Sequence, residues 1–248
     1  MKITNKLTTY IDENITFLQE ELKQLEEELK LLSAEKQDII HDINIFNSRY
    51  NVELGEIISK ILFLKQSILK YKSEKNIEVK DDYDEAKDDY NNFHDSYNYE
   101  LNNPIDKLNK DEKQELKSMY RKASKMCHPD TVTDEYKTKA ENIFKELNEA
   151  YSKNKLSLVR EILNNLKNNE FNSTSNNLKE KDLLIEKIAI IKEQIVTEKN
   201  NIYNLIQSAT YIKISSITDN DEYFKIIKIE LENECDTLQK QLDEIESI

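Results

Sequence analysis

The residues with the chemistry to act lie close together in the middle of this chain: Cys127, His128 and Asp130 around Pro129, directly after a run of lysines and one arginine. A thiol beside an imidazole invites comparison with a Cys–His nucleophile. Sequence neighbours at a helix end, however, rarely place sulfur and imidazole for proton transfer, and no glycine loop is available for an oxyanion hole. His41 and His94 stand alone on helical stretches and read as surface or seam histidines. The pairs Asp81-Asp82 and Asp88-Asp89 lack the glycine-turned loop of a calcium site and read as solvated faces. Two cysteines, Cys127 and Cys235, cannot build a four-thiolate zinc site or a disulfide framework. No catalytic residue, metal or cofactor is expected, and the chain is not expected to be an enzyme.

What remains is binding. Lys113, Lys117, Arg121 and Lys125 recur every four residues and form one helical stripe, with Lys122 beside it. Residues 110–125 carry six basic and three acidic side chains, within a chain of net charge -13. A positive ridge on an acidic protein suits a negatively charged protein partner; the alternative is a solvated face balanced by its neighbours. The stripe belongs to a first amphipathic helix from Lys110 to Cys127, with Leu116, Met119, Tyr120, Ala123 and Cys127 on its apolar side. A second helix starts near Asp134 or Tyr136 and turns Ala140, Ile143, Phe144, Leu147, Ala150 and Tyr151 inward. Pro129 stops the first helix and stiffens the loop that holds His128 and Asp130.

These residues resemble the J domain of DnaJ-type co-chaperones. MYRKASKMCHPD is similar to the family's second helix and its His-Pro-Asp signature, here His128, Pro129 and Asp130, and IFKELNEAY (143–151) is similar to its third helix. The resemblance implies a partner, a DnaK-type heat-shock ATPase whose ATP hydrolysis the domain stimulates. By matched position it puts Lys117, Arg121, Lys122 and Lys125 at the docking face, Lys113 less firmly, and His128, Pro129 and Asp130 in the signalling loop. The chemistry would then belong to the partner, whose conformational equilibrium the loop biases. The sequence departs from the family in three places. No tyrosine with a Leu-Gly-Val turn precedes the second helix, Cys127 stands before His128, and Thr131 follows Asp130. The acidic, tyrosine-rich stretch from Tyr83 to Leu101 is expected to supply the packing of the missing first helix. No glycine/phenylalanine-rich region and no cysteine-rich domain follow, which implies a specialised family member whose other parts select client or location.

Those other parts are long helices. From Leu18 an apolar position returns every four and three residues: Leu18, Leu22, Leu25, Leu29, Leu32, Lys36, Ile39, Ile43, Phe46, Tyr50, Leu54, Ile57, Ile61, Leu64, Ile68, Tyr71. This is the narrow stripe of a coiled-coil seam. Lys36 is its one charged member, and the step from Tyr50 to Leu54, beside Gly55, is a stutter. The pattern returns in Leu184, Ile188, Ile191, Ile195, Glu198, Ile202, Leu205, Ala209 and Ile212, breaks at 215–221, and resumes in Phe224, Ile227, Leu231, Cys235, Leu238, Leu242 and Ile245. At 1.5 Å per residue the first seam spans roughly 80 Å and the later two about 74 Å together. The expectation is therefore an antiparallel hairpin with the J-like unit at its tip, the rival being a parallel homodimer through 18–71.

Composition agrees with an all-α chain. One glycine and two prolines in 248 residues leave almost nothing for hairpins, dinucleotide fingerprints or phosphate loops. An acidic chain is not expected to bind nucleic acid. The opening residues lack an apolar h-region and the longest apolar runs are four residues, so neither a signal peptide nor a membrane span is expected, and the setting is expected to be cytoplasmic. The expected organisation is an N-terminal coiled-coil arm (1–77), an acidic connector (78–108), the J-like unit (109–167), a polar linker (168–179) and a C-terminal returning arm (180–248). The reading is of a co-chaperone whose arms select an unidentified client; the alternative is a coiled-coil scaffold with a degenerate, non-stimulatory J-like tip.

Overall fold

A computed structural model describes residues 3–75, 79–168, 171, 174 and 180–247, with side chains from residue 14 onward except Lys75. The junction expected at 77/78 and most of the linker expected at 168–179 lie outside the described residues. Among the described residues the structure is all-α, without strands: α1 (Ile3–Lys75), α2 (Lys80–Asn102), α3 (Lys110–Met126), a 3₁₀ turn (Pro129–Thr131), α4 (Asp134–Ser152), α5 (Leu156–Asn168), α6 (Lys181–Ile206), α7 (Ala209–Ser216) and α8 (Asn220–Glu246). No described helix is long and apolar enough to cross a membrane. The chain divides into two compact units, Met1–Ile43 with Asp106–Ile212, and Asn44–Ile105 with Lys213–Ile248.

In the first unit the N-terminal part of α1 pairs with α6. Leu22 and Leu29 bury against Leu184, Ile188, Ile191 and Ile195, with Ile15, Leu18, Leu25 and Leu32 packed alongside. All but Ile15 are seam positions that the heptad spacing picks out. Direction is set by the flanking ion pairs: Glu21 meets Lys192 and Glu28 meets Lys199, each at 2.7 Å. Both residue numbers rise together, so α6 runs parallel to α1. The same holds in the second unit, where Arg49 pairs with Asp221 and Lys65 with Glu234. There Ile61, Leu64 and Ile68 of α1 bury against Cys235 and Leu242 of α8. The antiparallel return of the C-terminal helices is thus corrected, since both run in the direction of α1. The seam from 184 to 212 is also interrupted, because α6 ends at Ile206 and Ser208 Oγ accepts from Tyr211 N–H (3.3 Å) to start α7.

The helix that does run antiparallel to α1 is α2. Phe63 meets Tyr90, Ser59 meets His94, and Gly55 meets Tyr97, with one number rising as the other falls. The acidic helix therefore packs on α1 in the second unit and supplies none of the core around α3, which corrects its expected role as a stand-in first helix. Its Tyr83, Ala86, Tyr90, Phe93 and Tyr97 are half-buried, so the aromatic face is packing surface. α1 continues unbroken through Gly55. A Cβ added there would lie 2.5 Å from Tyr97 Cε2, so the absence of a side chain admits the ring.

Candidate functional site

The module that carries the signature residues is built from three helices and one face of α1. α3 begins with a capping box: Asn109 Oδ1 accepts from Glu112 N–H (3.0 Å), and Glu112 Oε2 accepts from Asn109 N–H (2.9 Å). Leu116, Met119, Tyr120, Ala123 and Cys127 then bury against Leu147, Ala150 and Tyr151 of α4 and Val159, Ile162, Leu163 and Leu166 of α5. The two-helix reading of the sequence misses α5 as a separate element. The turn into it turns on Asn154, whose φ of 57° is left-handed. Asparagine tolerates that region better than other non-glycine residues. Asn154 Nδ2 donates to the carbonyl of Asp106 (2.8 Å), which ties the start of the module to this turn.

The contribution of α1 comes from one of its faces. Ala34 enters the module core. One helical turn on, Asp38 is nearly buried and accepts from Tyr151 Oη (2.6 Å) through Oδ1. A further turn on, His41 stacks on Tyr151 (4.4 Å between centroids), which stacks on Tyr120 (4.0 Å). His41 also shares a 2.8 Å hydrogen bond with Asn154 Oδ1. The spacing 34, 38, 41 keeps all three on one face of α1. The module therefore sits beside residues 34–41 of α1, not at the far end expected for it. Sequence reasoning did not associate Asp38 or His41 with this site. Their signal is faint, a polar residue near the seam and a lone histidine.

The loop between α3 and α4 holds His128, Pro129 and Asp130. Pro129 opens the 3₁₀ turn, and His128 Nδ1 accepts from Asp130 N–H (3.4 Å), leaving the proton of the neutral ring on Nε2. The Thr131 N–H and hydroxyl both donate to the His128 carbonyl (3.1 Å each). Pro129 and Asp130 are half-buried, but His128 is only 4% exposed and lies edge-on to Phe144 at 5.2 Å. Burial pushes the imidazole down to about 4; Asp130 opposes that shift, and Lys30 and Lys36 of α1 add to it. The ring is thus neutral near pH 7. Cys127 donates its thiol to the Ala123 carbonyl (3.2 Å), and burial raises the thiol to about 12, which holds it protonated.

The basic stripe points in the direction the helical spacing requires, with an unforeseen neighbour. Lys117 Nζ lies 3.1 Å from Asp38 Oδ2, and the Arg121 guanidinium donates to the same oxygen, through Nε at 3.1 Å. Lys125 Nζ lies 3.3 Å from Glu27 Oε2. Lys113 and Lys122 are exposed and take part in none of the described ion pairs. Lys117, Arg121, Lys122 and Lys125 line one shallow groove along α3 together with Gln114 and Ser118. Four of the expected residues thus line one groove, while His128 is buried in the loop after α3. Among the described residues no group of three His, Cys, Asp or Glu side chains could hold a metal ion.

Comparison with known proteins gives one family. Residues 107–155, about a fifth of the chain, match the DnaJ domain model. The match runs from just before the capping box to the residue after Asn154, and takes in the basic stripe and the His128 loop. Neither the curated proteins nor the solved structures gave a match.

Proposed function

Because the chain carries a DnaJ domain at residues 107–155, we propose that it is a co-chaperone that recruits a DnaK-type ATPase and stimulates its ATP hydrolysis. The observation that carries this reading is the His128-Pro129-Asp130 loop closing two packed helices, of which the first bears the basic groove. In this reading the partner's acidic surface meets Lys117, Arg121, Lys122 and Lys125, and the loop biases the partner toward its hydrolysing state. No bond is made or broken on this chain. The paired helices formed by α1 with α6 and by α1 with α8 select client or location.

A second reading, a coiled-coil scaffold with a non-stimulatory J-like module, is favoured by one observation: the burial of His128. One experiment separates the two. Single-turnover ATP hydrolysis by the cognate DnaK-type protein is measured with the full chain and with His128→Gln. Stimulation by the wild type that is lost in the variant supports the co-chaperone; no stimulation by the wild type, or equal stimulation by both, defeats it. Lys122→Glu should weaken the association, and the effect should fade as salt rises.

A further inference from the structure

The basic face of α3 is engaged by carboxylates of its own chain. Asp38 takes Lys117 and Arg121, and Glu27 takes Lys125, so three of the four groove cations face acids that lie three helical turns apart on α1. The same stretch of α1 carries Lys30 and Lys36, whose charges bear on His128, while Ala34 and His41 pack into the module. Residues 27–41 thus bear on the two features that a J domain presents to its ATPase, the cationic helix through ion pairs and the His-Pro-Asp loop through charge.

We propose that α1 is a built-in competitor for the ATPase-docking face, its Glu27 and Asp38 standing in for the acidic surface of the partner. The chain as folded is a restrained co-chaperone, and engaging the ATPase requires α3 to exchange these carboxylates for those of the partner. The exchange is feasible because the cations are only partly covered: Lys117, Arg121 and Lys125 remain between 38% and 51% exposed. Exposed pairs of this kind contribute little each and are open to competition. Asp38 is different, since its 8% exposure and its bond to Tyr151 make it the anchor of the restraint. This inference rests on the co-chaperone reading.

Two measurements on the full chain test it. A zero-length carbodiimide should join Glu27 to Lys125, with Asp106–Lys155, a pair of similar exposure at 2.6 Å, as internal reference. A linked reference without a Glu27–Lys125 product overturns the inference, whatever the ATPase result. Single-turnover hydrolysis is then titrated with wild type, Glu27→Gln and Asp38→Asn. Glu27→Gln, a surface change that leaves the fold alone, should lower the concentration for half-maximal stimulation by about twofold to fivefold. Asp38→Asn should lower it by about tenfold. Equal stimulation by wild type and Glu27→Gln at equal concentrations overturns the restraint and leaves the co-chaperone standing. No stimulation by any of the three removes the co-chaperone reading, and the inference falls with it.

Discussion

Lys36 Nζ lies 2.7 Å from Glu198 Oε1, so the one charged residue in the seam of α1 is paired with the one charged residue in the seam of α6. Both side chains are about four-fifths buried, and the second oxygen, Glu198 Oε2, has no hydrogen-bond partner. A polar pair inside an apolar seam weakens association but narrows the registers in which two helices can meet.

Removing one partner strands the other. Lys36→Leu or Glu198→Leu alone should lower unfolding free energy by about 1–3 kcal/mol, less than for a fully buried pair because some water reaches both groups. The double variant should return to wild-type stability or exceed it, at the cost of register specificity. Urea denaturation of the four proteins in a double-mutant cycle checks this, and additive losses would contradict it.

At Gly55 two effects of opposite sign compete. Alanine improves intrinsic helix propensity by about 1 kcal/mol, but its Cβ would press into the Tyr97 ring, and overpacking costs about 1–3 kcal/mol. Gly55→Ala should therefore destabilise by about 1 kcal/mol in the wild type. In a Tyr97→Ala background the same change should stabilise, and thermal unfolding of the two pairs reads the reversal.

His128 makes stability depend on pH. Its folded value of about 4 lies below the ordinary 6.5, so the unfolded chain binds the extra proton in between. The contribution is fully present above pH 6.5 and declines as pH falls toward 4, with a total of roughly 3 kcal/mol. Asp130 opposes the shift while Lys30 and Lys36 reinforce it. Denaturation midpoints from pH 7 to pH 4 should fall more steeply in the wild type than in His128→Gln; parallel curves would refute the assignment.

Much of this was legible in the residues. The seams of α1, α6 and α8, the stop at Pro129, the stripe from Lys113 to Lys125 and the signature loop follow from spacing and residue type. Direction does not: a heptad stripe reads the same for a helix running either way, and the ion pairs that decide it, Glu21–Lys192 and Glu28–Lys199, flank the seam. α5 escaped separation because its turn uses Asn154 where glycine is the usual signal. The charge that Lys30 brings to bear on His128 and the engagement of the stripe by Asp38 and Glu27 come from residues some 80 to 100 positions away in sequence, which no local pattern reports.

Between Leu29 and His41, α1 reads two neighbours at once: Leu29, Leu32 and Lys36 address α6, while Ala34, Asp38 and His41 address the module. The two sets are locked in phase by the helix itself, at about 100° per residue. A single inserted or deleted residue in this window would rotate one set of contacts out of alignment with the other. A seven-residue insertion would preserve both faces to within about 20°, while shifting one set by about 10 Å along the axis. Length variation in α1 should thus be confined to stretches outside this window, or arise in whole heptads matched by equal additions to α6.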